Sequence, residues 1–159
     1  MNHRPSLAAL CLAAALACAP VRAQVVPLPA PPAGCESVQN DRLVAGGPMR
    51  QSHAVELLRC AGEYRMRLLR TDRPGHSEVV AEQSLGRAAR GATIELAGGA
   101  CLMAGTPLTH NLVIHGQWRN RERIRFGAGL LGAWLPDEKT GTIRPLAATD
   151  RIVCQTDRP

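Results

Sequence analysis

Few side chains in this chain have the types and spacing that catalysis needs. After residue 23 the histidines are His53, His76, His110 and His115, and the serines are Ser37, Ser52, Ser77 and Ser84. A hydroxyl nucleophile needs a base within hydrogen-bond reach, and one familiar arrangement places the serine in a Gly-x-Ser-x-Gly elbow. None of these serines lies in one. A metal centre would call for His-x-x-x-His or Cys-x-x-Cys, and neither occurs; His110 and His115 stand five apart with no cysteine or acid beside them. Glu56, Glu63, Glu78, Glu82 and Glu95 are carboxylates in search of a role, but most fall on the outward side of alternating stretches, where a carboxylate is ordinarily just solvated. Residues 127–132 spell GxGxxG without the following helix and distant acid that make this a nucleotide motif. The expectation is therefore no catalytic residue, no metal and no cofactor. The best enzymatic alternative is a hydrolase that uses His115 with an acid from another strand.

Charge is the more informative chemistry. Arg119, Arg121, Arg123 and Arg125 recur at every second position, and Arg65 and Arg67 make a shorter row. Such rows are commonly solvated faces that discourage edge pairing. Their functional reading is a basic surface for an acidic protein or an anionic envelope polymer, since guanidinium forks match carboxylates and phosphates. The net charge is +6, falling to +4 without Arg4 and Arg22, and Lys139 is the only lysine. Aromatics are confined to Tyr64, Trp118, Phe126 and Trp134, too few for base stacking, so nucleic acid is not the expected partner.

The cysteines and the N-terminus speak to compartment. Leu7–Ala19 is a thirteen-residue apolar run behind the positive charge of Arg4, the length of a signal-peptide core and too short to cross a bilayer. Val21-Arg22-Ala23 provides a loose cleavage site, so residues 1–23 read as a signal peptide. Lipid attachment at Cys18 is the alternative, weakened by Ala15 three positions before it. Once the leader is removed, no transmembrane segment remains. Residues 24–34 hold four prolines and read as an extended linker, a stalk leading to one domain over 35–159. Cys35, Cys60, Cys101 and Cys154 remain in the mature chain. An even number in an exported protein predicts two disulfides. Three pairings exist; Cys35 with Cys60 and Cys101 with Cys154 is preferred because each then closes a local loop.

The elements that position these groups are expected to be strands. In 63–68 Glu63, Arg65 and Arg67 alternate with Tyr64, Met66 and Leu68, giving one charged and one dry side. With VELLRC before it and Ala61-Gly62 between, the run Val55–Arg70 predicts a hairpin. Leu57, Ala61, Tyr64 and Leu68 also share one side of a helix, which leaves a helix around 53–70 as the alternative. Asp72 and Pro74-Gly75 predict a turn into a return strand over 77–85. Leu112–Trp118 and Glu122–Phe126 alternate on either side of Asn120-Arg121 and predict a second hairpin, with Ile124 and Phe126 inward and Arg123 and Arg125 outward. Ala133–Leu135 and Thr142–Arg144 around PDEKTG predict a third. The glycines of 127–132 suggest a bulge or a close backbone crossing. Ile152 and Cys154 share one side of a terminal strand.

Roughly nine or ten short strands separated by turn residues predict an all-β antiparallel sandwich or small barrel. The expected function is that of an exported, non-enzymatic envelope protein, periplasmic or secreted, that binds a macromolecule as inhibitor, immunity protein or assembly accessory. A structural envelope protein without a ligand is the remaining alternative.

Overall fold

The computed structural model describes residues 28–43, 52–73, 76–97, 100–108 and 112–155. The leader, the linker before residue 28 and His110 lie outside the described residues. The described chain is almost all β: twelve strands and a single 3₁₀ turn at Ala148–Asp150. The strands are β1 (Cys35–Leu43), β2 (Ser52–Cys60), β3 (Glu63–Arg73), β4 (His76–Gly86), β5 (Thr93–Ala97), β6 (Cys101–Met103), β7 (Thr106–Pro107), β8 (Leu112–Gly116), β9 (Arg123–Phe126), β10 (Gly129–Asp137), β11 (Thr142–Pro145) and β12 (Ile152–Gln155).

Two sheets result. The first is a meander in the order β1-β2-β3-β4. The second runs β5-β8-β10-β9-β12-β6-β7, with β11 paired to β10. Pairing is antiparallel throughout except for a short parallel contact between β9 and β10. The sheets meet at two seams, β1 beside β5 and β4 beside β11, and the architecture includes a half-barrel. At the β1 seam the side-chain oxygen Oε1 of Gln39 accepts the Leu96 N–H at 2.8 Å.

The hairpin at 55–70 forms as two strands, not a helix. Ala61 and Gly62 lie at φ of 49° and 83°, the doubly left-handed turn that matches the twist of the flanking strands. Gly62 there relieves strain, whereas in a helix it would have added to it. The hairpin over 133–144 forms as well, with Trp134 opposite Pro145 and Asp137 opposite Thr142. The return strand expected over 77–85 is β4.

The second expected hairpin does not form. β8 and β9 are not partners, because β10 is inserted between them. The insertion is made possible by Gly129, at φ 93°. A Cβ there would stand 2.8 Å from the Gln117 carbonyl oxygen and 2.8 Å from Ile124 Cγ2. With hydrogen in its place, the Gly129 carbonyl comes close enough to accept the Gln117 N–H at 2.7 Å. The glycine-rich stretch is thus a close backbone crossing, and the GxGxxG letters run into a strand rather than a helix.

Two interiors are formed. One lies between the sheets and holds Val55, Leu57, Met66, Leu68, Leu85, Ile94 and Val113, with Trp134 and Ile143 against it. The second lies within the curl of the larger sheet and holds Leu112, Ile114, Ile124, Leu130, Ala133 and Ile152 with Cys101 and Cys154. β8 sends Val113 to the first and Leu112 and Ile114 to the second, the two-residue period of a strand applied to a doubly covered element.

Both disulfides join neighbouring strands. Cys35 is bonded to Cys60 between β1 and β2, and Cys101 to Cys154 between β6 and β12, the pairing that closes local loops.

Candidate partner-binding face

Residues 119–125 do not form one patch. Trp118–Arg121 is a tight turn, closed by the Arg121 N–H to the Trp118 carbonyl at 2.7 Å, with Arg119 and Asn120 at φ of 33° and 62°. Trp118 is held at its start by the indole N–H donated to Glu95 Oε1 at 2.7 Å. The turn sends Arg119 towards Gly91 and folds the Arg121 guanidinium against Gly129. Both remain exposed, but they leave the row.

Arg123 and Arg125 stay together. They point outward from β9 while Ile124 between them is fully buried, as the alternation requires. Directly beside them on β12 are Gln155, opposite Arg123, and Val153, opposite Arg125; Leu102 on β6 lies opposite Val153. Val153, Gln155 and Leu102 are half-buried. Behind this face Cys154 stands opposite Ile124, and its disulfide to Cys101 lies wholly within the second interior. The result is a pinned, two-arginine surface with an aliphatic and amide border. The border was legible at 152–155: Ile152 and Cys154 on one side place Val153 and Gln155 on the other.

The electrostatics distinguish this face from the first sheet. On the first sheet four arginines are matched: Arg59 with Glu36, Arg65 with Glu82 at 3.0 Å, Arg67 with Glu56 at 3.2 Å and Arg70 with Glu78. Elsewhere Arg87 meets Glu63 at 3.7 Å and Arg144 meets Asp150 at 3.2 Å. Among the described residues, no carboxylate lies within ion-pair distance of Arg119, Arg121, Arg123 or Arg125. The row expected at Arg65 and Arg67 is not a solvated face. Arg67 is 4% exposed and sits directly across the ladder from Glu56, which is 2% exposed. Alternation assigned the charge outward, but it cannot reveal that β2 and β3 are covered on both sides.

The histidines act as fasteners. The Ala89 N–H donates to His115 Nε2 at 3.0 Å, which uses the lone pair a general base would need. Partial burial holds the pKa of His115 below its ordinary value. With Gln117 Nε2 donating to the Arg90 carbonyl, it secures the connection between β4 and β5. His53 is buried with its Nδ1 3.9 Å from Glu138 Oε2, and His76 pairs with Asp72 in the open. Shifted carboxyls likewise sit at corners. The Thr140 hydroxyl and backbone N–H hold the Asp137 carboxyl below its usual range in the β10–β11 turn. The Ala147 N–H and then Arg144 do the same for Asp150. An open hollow of about 320 Å³ is lined by Gly34, Cys35, Glu36, Arg59, Ala61 and Gly62, without His115. Among the described residues, no three His, Cys, Asp or Glu side chains gather where a metal ion would be held, and no helix is long and apolar enough to cross a membrane.

The chain matches no known family model, no curated protein and no solved structure. Any functional reading therefore rests on this geometry.

Proposed function

We propose that this protein is an exported, non-enzymatic domain of the cell envelope that binds an anionic macromolecular partner through the outer face of β9. The observation that carries the reading is the contrast in charge pairing. Arg123 and Arg125 are exposed, adjacent and without an acid within reach among the described residues, while Arg59, Arg65, Arg67 and Arg70 of the first sheet are each matched to a glutamate. Two like charges held side by side repel, and an anionic partner turns that repulsion into attraction. Two disulfides suit an oxidising compartment, which supports export. Inhibitor, immunity protein and assembly accessory remain equally compatible with such a surface.

The test is capture from an envelope extract. Immobilised wild-type protein is expected to retain a partner at low salt and to release it as salt rises, because exposed charges are screened beyond about 10 Å at 0.1 M. The Arg123→Glu/Arg125→Glu protein, with unchanged circular dichroism, is expected to retain none. Equal capture by the two proteins would refute the assignment of this face.

A further inference from the structure

The two disulfides are placed very differently, and the strand held by the more accessible one is exposed over residues 36–41. Cys101 and Cys154 are fully buried in the second interior. Cys35 and Cys60 are half-exposed, and Cys35 lines the open hollow with Gly34 and Gly62. Residues 36–41 of β1 are exposed along their whole length, Val38 included. β1 thus brings no buried side chain from 36–41 to either interior. Its attachments include the ladder to β2, broken by a bulge between Ser37 and Gln39, the exposed Glu36–Arg59 ion pair beside the disulfide, and the Gln39–Leu96 contact at the seam. Exposed ion pairs contribute little. A run of strand without buried side chains belongs to the least stable part of a fold.

We propose that the Cys35–Cys60 bond is a redox latch on β1: a dithiol reductant opens it while Cys101–Cys154 stays closed, and β1 then lifts from β2 and from the β5 seam. The chemistry is thiol–disulfide exchange. One thiolate of the reductant attacks a cystine sulfur, the S–S bond breaks, a mixed disulfide forms and the released cysteine thiolate takes a proton. The second thiolate then attacks the mixed disulfide, releasing the other cysteine as a thiol and leaving the reductant as a cyclic disulfide. Two electrons pass from dithiol to cystine. Access sets the order of opening, since attack requires the thiolate to reach sulfur along the S–S axis. Releasing β1 uncovers the edge of β2, whose residues 53–58 are buried, and opens the first interior at one seam.

The experiment is stepwise reduction of the oxidised protein with dithiothreitol. Thiols are trapped by alkylation and mapped by peptide mass, with amide exchange followed in parallel. Cys35 and Cys60 are expected to be trapped on the order of tenfold faster than Cys101 and Cys154. Amides of 36–43 are expected to lose protection while those of 112–116 and 130–135 keep it. The Cys35→Ser/Cys60→Ser protein, with Cys101–Cys154 intact, is expected to show the same localised exchange without reductant. Simultaneous trapping of all four cysteines overturns the proposal. So does a β1 that stays protected after its bond opens, or unfolding of the whole chain when only that bond is cut.

Discussion

Replacing Gly129 by alanine tests the crossing that sets the topology of the larger sheet. Two penalties arise there, and they can be separated. The first is conformational: φ is 93°, where a Cβ costs about 1–2 kcal/mol. The second is steric. The new methyl would lie 2.8 Å from the Gln117 carbonyl oxygen, and that oxygen belongs to backbone that cannot rotate away. Overpacking of this kind costs about 1–3 kcal/mol. Gly127 isolates the first penalty: its φ is 77°, but nothing lies within 4 Å of a Cβ built on it. Gly127→Ala is therefore expected to lose about 1–2 kcal/mol, and Gly129→Ala about 2–5 kcal/mol. Urea unfolding of the oxidised proteins, followed by tryptophan fluorescence, measures both. At an m-value of roughly 2 kcal/mol per M, the midpoint falls by about 0.5–1 M for the first variant and about 1–2.5 M for the second. Equal losses in the two variants would refute the reasoning, because they would mean that no close approach is made at Gly129.

Two further outcomes follow from single contacts. Trp118→Phe removes the indole donor to Glu95 while keeping most of the ring, and a hydrogen bond to a charged group makes the expected loss about 1.5–3 kcal/mol, read as a lower urea midpoint; Glu95→Gln in the same background should then cost little more. His115 is held neutral in the fold, with its pKa below 6.5. As pH falls, the unfolded chain takes up that proton first, so the stabilisation is whole above about pH 6.5 and is lost as pH drops towards the folded pKa. Unfolding midpoints at pH 8 and pH 5 are expected to differ more for wild type than for His115→Gln, and identical pH dependence would remove the role assigned to the Ala89 contact.

What the sequence made legible was local. Ala61-Gly62 and the 136–141 turn each join strands adjacent in the chain, and both hairpins follow from the turn residues and the alternation beside them. The insertion of β10 could not be read this way, since a period of two says which side a residue faces and nothing about which strand lies next to it. The arginine row shows the same limit. Arg123 and Arg125 follow alternation, but Arg119 and Asn120 adopt left-handed backbone, and that turn scatters a constellation that looks continuous in one dimension. Arg67 misled for a third reason: its charge suggested solvent, while Glu56 across the ladder, eleven residues earlier in sequence, neutralises it. The disulfide pairing followed from preferring local loops, and in the fold each bond joins residues directly opposite in neighbouring strands.

The central placement of β8 bears on how the molecule comes apart. Leu112 and Ile114 fill one interior and Val113 the other, so neither can be flooded without withdrawing a wall from its neighbour. Twin hydrophobic compartments on separate scaffolds could melt in succession, but a shared partition ties their fates. Heating should give one calorimetric peak whose measured enthalpy equals the van't Hoff value, and truncating Val113 to alanine should move that peak without splitting it.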